Sequence, residues 1–396
     1  MVNLQADSAL QSKLASLKSK ALIAAAAGII LSAAGLMIDK TSFASSYLVA
    51  FLFWLGITVG CLPIIMLHHL ADGGWGYPLR RILEIVVGRL PFMALAFIPV
   101  YLLLPVLYPW ARPELMAHDA LLQQKGAYLN APGYLTRSVL YFSIWMAFAF
   151  FLIRASRTFS KTFSDGLRAA LQRVSGAGII IYGLSSTFAS VDWGMSLEPH
   201  WFSTIYGVLF IAGQTLLGFG FAVAVMVLLS KSEPIHSVLT ANRSHDMGKL
   251  FFAFIMFWAY ISLSQFIIIW NGNIAEETPW YIVRFSKGWE ILSILLPFCH
   301  FVIPFLLLLS RQRKRDPSRL VRVVIFVLAV RWFDLNWLIK PALHPAIHFH
   351  WLDLTCFAAI GGIWLYFFVG RLQKESLVLE HDPILTGAET KDSHHG

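Results

Sequence analysis

Apolar runs of about 18 residues or more recur along the whole of this chain, and each can cross a hydrocarbon layer of about 30 Å at about 1.5 Å per residue. Composition closes off the alternative. Of 396 residues, 57% are hydrophobic and 13% charged, against roughly a quarter charged in an ordinary soluble domain, so the chain cannot clothe a water-soluble surface. The expectation is an all-α integral membrane protein of about ten transmembrane helices, read at 21–38, 45–70, 82–106, 134–154, 176–195, 200–230, 247–272, 280–310, 319–340 and 351–371. Aromatic residues crowd their ends, among them Trp110, Tyr134, Trp201, Trp270, Trp280 and Trp351, where rings prefer the headgroup level.

The net charge of +9 sets orientation and does not mark a nucleic-acid surface, because the basic residues lie in short connections and form no single patch. With the N-terminus inside, 22 of the 31 Lys and Arg residues fall on the cytoplasmic side, seven fall outside, and Arg89 and Arg331 lie at membrane depth. Both termini are therefore expected in the cytoplasm of a multi-pass inner-membrane protein. The domain reading is a cytoplasmic segment at 1–20, a ten-helix domain at 21–372 and a cytoplasmic tail at 373–396. Residues 1–20 include Asp7 and precede no convincing cleavage site, so no signal peptide is expected. A basic surface helix is expected within 155–175, and no internal repeat is visible.

Ionisable groups at membrane depth are costly and point to function by default. His68 and His69 fall at the cytoplasmic edge of the second helix. Glu84 follows Arg80 and Arg81 by about one turn, and Arg89 lies about 10 Å deeper. Arg331 and Asp334, three apart on one helix face, make a pair near mid-membrane. Glu290 is placed about 15 Å below the outer end of the eighth helix, where a desolvated carboxyl can exchange protons, and His300 lies further along that helix. Near the outer face come Tyr182, Ser185, Ser186 and Asp192, then Glu198 and His200, with Asp353 at similar depth; Ser262, Ser264 and Gln265 add hydrogen-bonding groups in the seventh helix. These groups could form two polar half-paths. Each also has a plainer reading: membrane-edge histidines, an interfacial ion cluster at Arg80, Arg81 and Glu84, a clasp at Arg331 and Asp334, and a helix end at Asp192.

Three runs carry a resemblance. HHLADGGWGYPLRRILE at 68–84, VDWGMSLEPHWFSTIYG at 191–207 and HDMGKLFFAFIMFWAYISLSQFIIIWNGNIAEETPWY at 245–281 resemble the NrfD-like (polysulfide reductase NrfD family) membrane subunits of bacterial alternative complex III, most of all the second of its two such subunits. The resemblance extends from about residue 20 to 372. It implies two four-helix bundles with peripheral first and last helices, in a complex that oxidises quinol, usually menaquinol. Electrons would leave through an iron-sulfur subunit and haem c subunits to cytochrome c or a terminal oxidase. The proton path it implies here is His68, His69 and Glu84, with Glu290, Arg331 and Asp334 transferred only by their place in the later helices, and Arg89 and His300 join that path on their depth alone; a quinol surface would involve Asp192, Glu198 and His200.

Neither a catalytic residue nor a metal ligand is assigned. Cys61, Cys299 and Cys356 are too few for a cluster, and there is no C-x-x-C-H motif, so no cofactor is expected to be held by this chain alone, apart from menaquinol or quinone. The expected partners are a second NrfD-like subunit, the iron-sulfur subunit, multihaem and monohaem cytochrome c subunits, a terminal oxidase and lipids, and no nucleic acid. The competing readings are a purely structural membrane anchor, a secondary transporter and a cytochrome b. A transporter should show paired interrupted helices, and Pro91, Pro99 and Pro105 have no counterpart. A cytochrome b would need His68 or His69 opposite His300 and further histidine pairs.

Overall fold

In a bilayer each backbone N–H and C=O must find its partner inside the segment, which an apolar run achieves only as a helix. The computed structural model, which describes residues 8–71, 73–159, 164–232 and 235–375, contains helices and connections and no strand among those residues. Its long helices are α1 (Ser8–Ile38), α2 (Lys40–Ala71), α3 (Gly76–Leu102), α4 (Ala131–Phe159), α5 (Asp165–Trp193), α6 (Tyr206–Leu229), α7 (Ala241–Gly272), α8 (Trp289–Leu309), α9 (Pro317–Ile339) and α10 (Trp351–Leu372). Among the described residues, nine are long and apolar enough to cross a membrane, and the chain is an all-α integral membrane protein. The helix outside that count is α9, whose 23 residues span about 35 Å but include Arg319, Arg322, Arg331 and Asp334. Its two deep charges, Arg331 and Asp334, are buried in the protein and face no lipid.

Helix α2 is the hub. Phe51, Leu55, Val59, Cys61 and Leu62 are fully buried, and the helix packs against α3, α5, α6 and α10. Helices α2 to α5 form one group of four and α6 to α9 a second, joined mainly through α2 and α6, while α1 and α10 pair with each other along one side of α2. Without a hydrophobic drive between helices in lipid, close approach depends on small residues. A Cβ on Gly60 would lie 1.9 Å from the Gln214 carbonyl oxygen, and one on Gly28 would lie 2.6 Å from the Ala359 nitrogen. Glycine thus fixes both the α2–α6 and the α1–α10 crossings.

Several boundaries differ from the sequence reading for local reasons. Helix α1 starts at Ser8, well before residue 21, because Leu10, Leu14, Ala21, Ala25 and Gly28 keep one buried stripe running. Helix α3 breaks before Leu90 and Ile98, and a further short helix starts at Leu104 just beyond its end, each break followed by a proline that cannot donate to the preceding turn. No separate surface helix forms from the described part of 155–175: α4 runs to Phe159 and Arg168 and Arg173 belong to the opening turns of α5. The stretch read as one helix at 280–310 is two. A short helix, Pro279–Arg284, ends before Lys287 (φ 52°) and Gly288 (φ 94°), and α8 begins only at Trp289. Inside α8, Pro297 opens a π-helical turn, Pro297–Val302, as expected where a missing N–H interrupts the ladder. Lys161, Lys391 and the tail from 376 lie outside the described residues.

Candidate functional site

The π-helical turn is a local packing defect with a consequence for side chains: such turns re-aim residues and gather at functional sites. Here it sends His300 into the protein. The ring is 0% exposed, lies against Trp258 with centroids 3.8 Å apart, and neither ring nitrogen has a hydrogen-bond partner. Beside it is the α9 pair, in which the Arg331 guanidinium bonds the Asp334 carboxylate. Arg331 in turn lies on Gly213 of α6, where a Cβ would fall 2.0 Å from Nη2. Helices α6, α7, α8 and α9 therefore converge on one ionisable cluster, and the α9 spacing foreseen from sequence does produce the pair.

This cluster borders a cavity of about 540 Å³ between α7, α8 and α9. Most of its wall is apolar, including Met256, Leu263, Phe266, Leu296 and Phe301, with polar groups entering from Ser262, Gln265, Tyr281, Ser293 and Asp334. Ser293 is satisfied, donating to the Arg284 carbonyl at 2.5 Å and accepting from Trp337 Nε1 at 2.7 Å. Gln265 is 1% exposed, and neither its side-chain oxygen nor its nitrogen makes a hydrogen bond of ordinary geometry, although the Tyr281 hydroxyl faces it; the Ser262 hydroxyl also lacks one. A buried polar group left in that state costs about 1–3 kcal/mol. A wall that is apolar, concave and supplied with a few unsatisfied polar groups is the usual form of a small-molecule site.

The other residues singled out from sequence are placed differently. Glu290 sits in the first turn of α8 and its Oε2 accepts the Gly288 N–H at 2.7 Å. It stands at a helix mouth, not about 15 Å below one, because residues 280–284 belong to the separate helix. Glu84 is held by Arg80 Nε at 3.3 Å, Arg81 Nη1 at 2.9 Å and the Ser156 hydroxyl. Arg89 Nη1 donates to the Phe367 carbonyl at 3.1 Å and, with Glu84, lines a smaller cavity of about 210 Å³ that also includes Arg157, Arg371 and Glu375. His68 packs edge-on to Tyr77, centroids 4.9 Å apart, and the His69 Nδ1 meets Ser175 Oγ at 3.1 Å. These histidines belong to the first helix group and His300 to the second.

Asp192, Glu198 and His200 are not gathered into one pocket. Asp192, fully buried, takes Arg137 Nη2 at 2.8 Å and the Tyr141 hydroxyl at 2.7 Å. Glu198 binds Arg284 Nη2 at 2.9 Å, and exposed His200 meets Asp119 at 2.7 Å. Because α5 ends at Trp193, the two later residues lie in a turn where each is drawn to a different partner.

No protein-family profile matches this chain, and no curated protein matches it.

One cluster was not foreseen. Lys340, at the end of α9, is fully buried and bonds both Asp353 oxygens at 2.6 Å, while the Ser46 hydroxyl and the His350 N–H complete the carboxylate. Beside this pair, His344 and His348 stack with centroids 4.1 Å apart and reach Ser45 and Ser42 of α2 at 3.0 and 2.8 Å. The only signal in the letters is HPAIHFH at 344–350.

Burial, then the neighbouring His348 and Lys340 charges, pushes His344 from 6.5 down to about 4. The folded form therefore holds a neutral ring that the unfolded chain would protonate. Its contribution is complete above pH 6.5 and is lost as the pH falls from there towards about 4. The thermal midpoint of the purified protein should fall between pH 7 and pH 4.5, less steeply in His344→Gln. Identical slopes in the two proteins would contradict this.

Proposed function

We propose that this chain is an integral membrane subunit of a quinol:cytochrome c or quinol:electron acceptor oxidoreductase of the alternative complex III kind, and that the α7–α8–α9 cavity receives the quinol ring. The observation that carries the reading is the cavity itself, with unsatisfied Gln265 and Ser262 and the Asp334 carboxylate in one apolar wall. A quinol presents a flat apolar ring with a hydroxyl at each side, and it gives up two electrons and two protons on oxidation. The electrons pass to iron-sulfur and haem c centres in partner subunits. Asp334, balanced by Arg331 and facing the cavity, supplies an acceptor for a proton, and His300 lies behind it as the next one. The resemblance of residues 68–84, 191–207 and 245–281 to NrfD-like subunits supports the same assignment, and the bias of basic residues supports an inner-membrane location with both termini cytoplasmic.

The proton-handling group in this proposal is narrower than two continuous half-paths. Glu84, Asp192, Glu198 and Asp353 are each tied to a basic partner, an observation that favours a second reading, in which those charges are clasps between helices of a structural anchor. The two readings differ only at the cavity.

Purification from native membranes in mild detergent, with identification of everything retained, tests the assignment. The expected result is stoichiometric recovery of a large iron-sulfur protein, a multihaem cytochrome c and a second multi-pass subunit. Recovery of the chain alone, or with soluble enzymes carrying no redox centre, would contradict it.

A further inference from the structure

At the opposite end of α8 from Glu290, the helix meets the start of α9 around an open groove of about 610 Å³. Its mouth is formed by Arg313, Arg319 and Arg322, its floor by Ile303 and Leu307 of α8 and Val323 and Phe326 of α9, and none of these lining residues is acidic. Asp316, which caps α9 through the Ser318 N–H, also takes Arg319 Nε at 2.9 Å; Arg322 Nε donates to the Ser318 carbonyl at 3.2 Å. Of the three guanidiniums, Arg319 is the one bonded to this carboxylate, which leaves an excess of positive charge at the groove mouth. Ile303 lies six residues before the end of α8 and Phe326 nine residues after the start of α9, so the apolar floor, itself about 5–6 Å long, reaches roughly 9–14 Å in from the helix ends.

We propose that this groove is a specific site for an anionic phospholipid, with its phosphate among the three arginines and one acyl chain along Ile303, Leu307, Val323 and Phe326. Both halves of the groove are needed for the inference. A basic mouth alone would suit any phosphate, whereas a floor of aliphatic and aromatic side chains continuous with the lipid-facing side of α8, where Leu306 and Leu309 are exposed, requires a hydrocarbon tail. Arginine's planar fork matches phosphate oxygens and remains charged at every relevant pH. A zwitterionic lipid would bring an ammonium group to the same place and lose the net attraction. The site is separate from the quinol cavity and does not depend on it.

Native mass spectrometry of the purified full chain, delipidated and then given equal amounts of phosphatidylglycerol and phosphatidylcholine with identical acyl chains, reads the preference directly. The expected result is retention of phosphatidylglycerol at least about tenfold above phosphatidylcholine, with inorganic phosphate unable to displace it. Each basic residue near an anionic surface contributes on the order of a fivefold change in binding, so Arg319→Gln/Arg322→Gln should bring the two lipids to parity. Arg112→Gln, on a connection remote from the groove in sequence, should leave the preference intact. Thermal unfolding in phosphatidylcholine checks that the double variant is folded; if it is not, the milder Arg322→Lys, which keeps charge and loses the fork, should show a reduced preference. Equal retention of the two lipids by the unaltered chain, a preference that survives in the folded double variant, or displacement by inorganic phosphate would overturn the proposal.

Discussion

Lys340→Met is expected to lose most of the protein's resistance to heat. The ammonium group of Lys340 bonds both oxygens of buried Asp353, and its removal leaves a carboxylate in a site that excludes water. Removing one member of a buried pair typically costs 3–5 kcal/mol, while replacing both with neutral groups of similar volume is often nearly neutral. Lys340→Met/Asp353→Asn should therefore be more stable than Lys340→Met, and unfolding of the unaltered protein, Lys340→Met, Asp353→Asn and the double variant in one detergent checks the order. If the double variant were as unstable as the sum of the single ones, the pair would not be acting as a unit. The location explains the size of the effect: Asp353 opens α10, Ser46 of α2 bonds the same carboxylate, and the His344–His348 stack rests against the start of α2, so one charge holds three helices in register.

Gln265→Leu should produce the opposite change in stability together with a loss of binding. In the structure both polar ends of Gln265 are buried with no hydrogen bond of ordinary geometry, the Tyr281 hydroxyl facing them, and replacing such a group with an apolar one of similar size removes a penalty of about 1–3 kcal/mol. The ligand-free protein should become more heat-resistant. Quinol-analogue binding should weaken about tenfold, the worth of one hydrogen bond in a dry site, giving a smaller thermal shift on addition of a menaquinol analogue. A purely structural Gln265 would give destabilisation with no change in that shift. The divergence between the two readouts separates a ligand site from an anchor, which a simple loss of activity would not.

What could be read from the letters follows from which interactions are local. The spans follow from apolar length, and the Arg331–Asp334 pair follows from a three-residue spacing on one helix. Ser262 and Gln265 stand out as polar residues in an apolar helix, but whether they are satisfied depends on α8 and α9, so their state was not legible. Glu290 was misplaced in depth because Gly288 and Lys287 break the chain inside what reads as a continuous apolar run. Asp192 finds Arg137 across 55 residues and Glu198 finds Arg284 across 86; no helical periodicity encodes such separations. The π-helical turn that aims His300 inward is likewise hidden, since Pro297 announces a disturbance but not its direction.

The central claim is that the cavity between α7, α8 and α9 is where the quinol ring binds. A photoreactive menaquinone analogue, activated in native membranes and mapped by peptide mass spectrometry, tests it most directly. Label on the cavity-lining segments of α7 and of Pro279–Arg284, at or beside Phe266 and Tyr281, and competed away by excess menaquinol, is the predicted result. Competable label confined to residues 192–200, or found only on partner subunits, would contradict the claim.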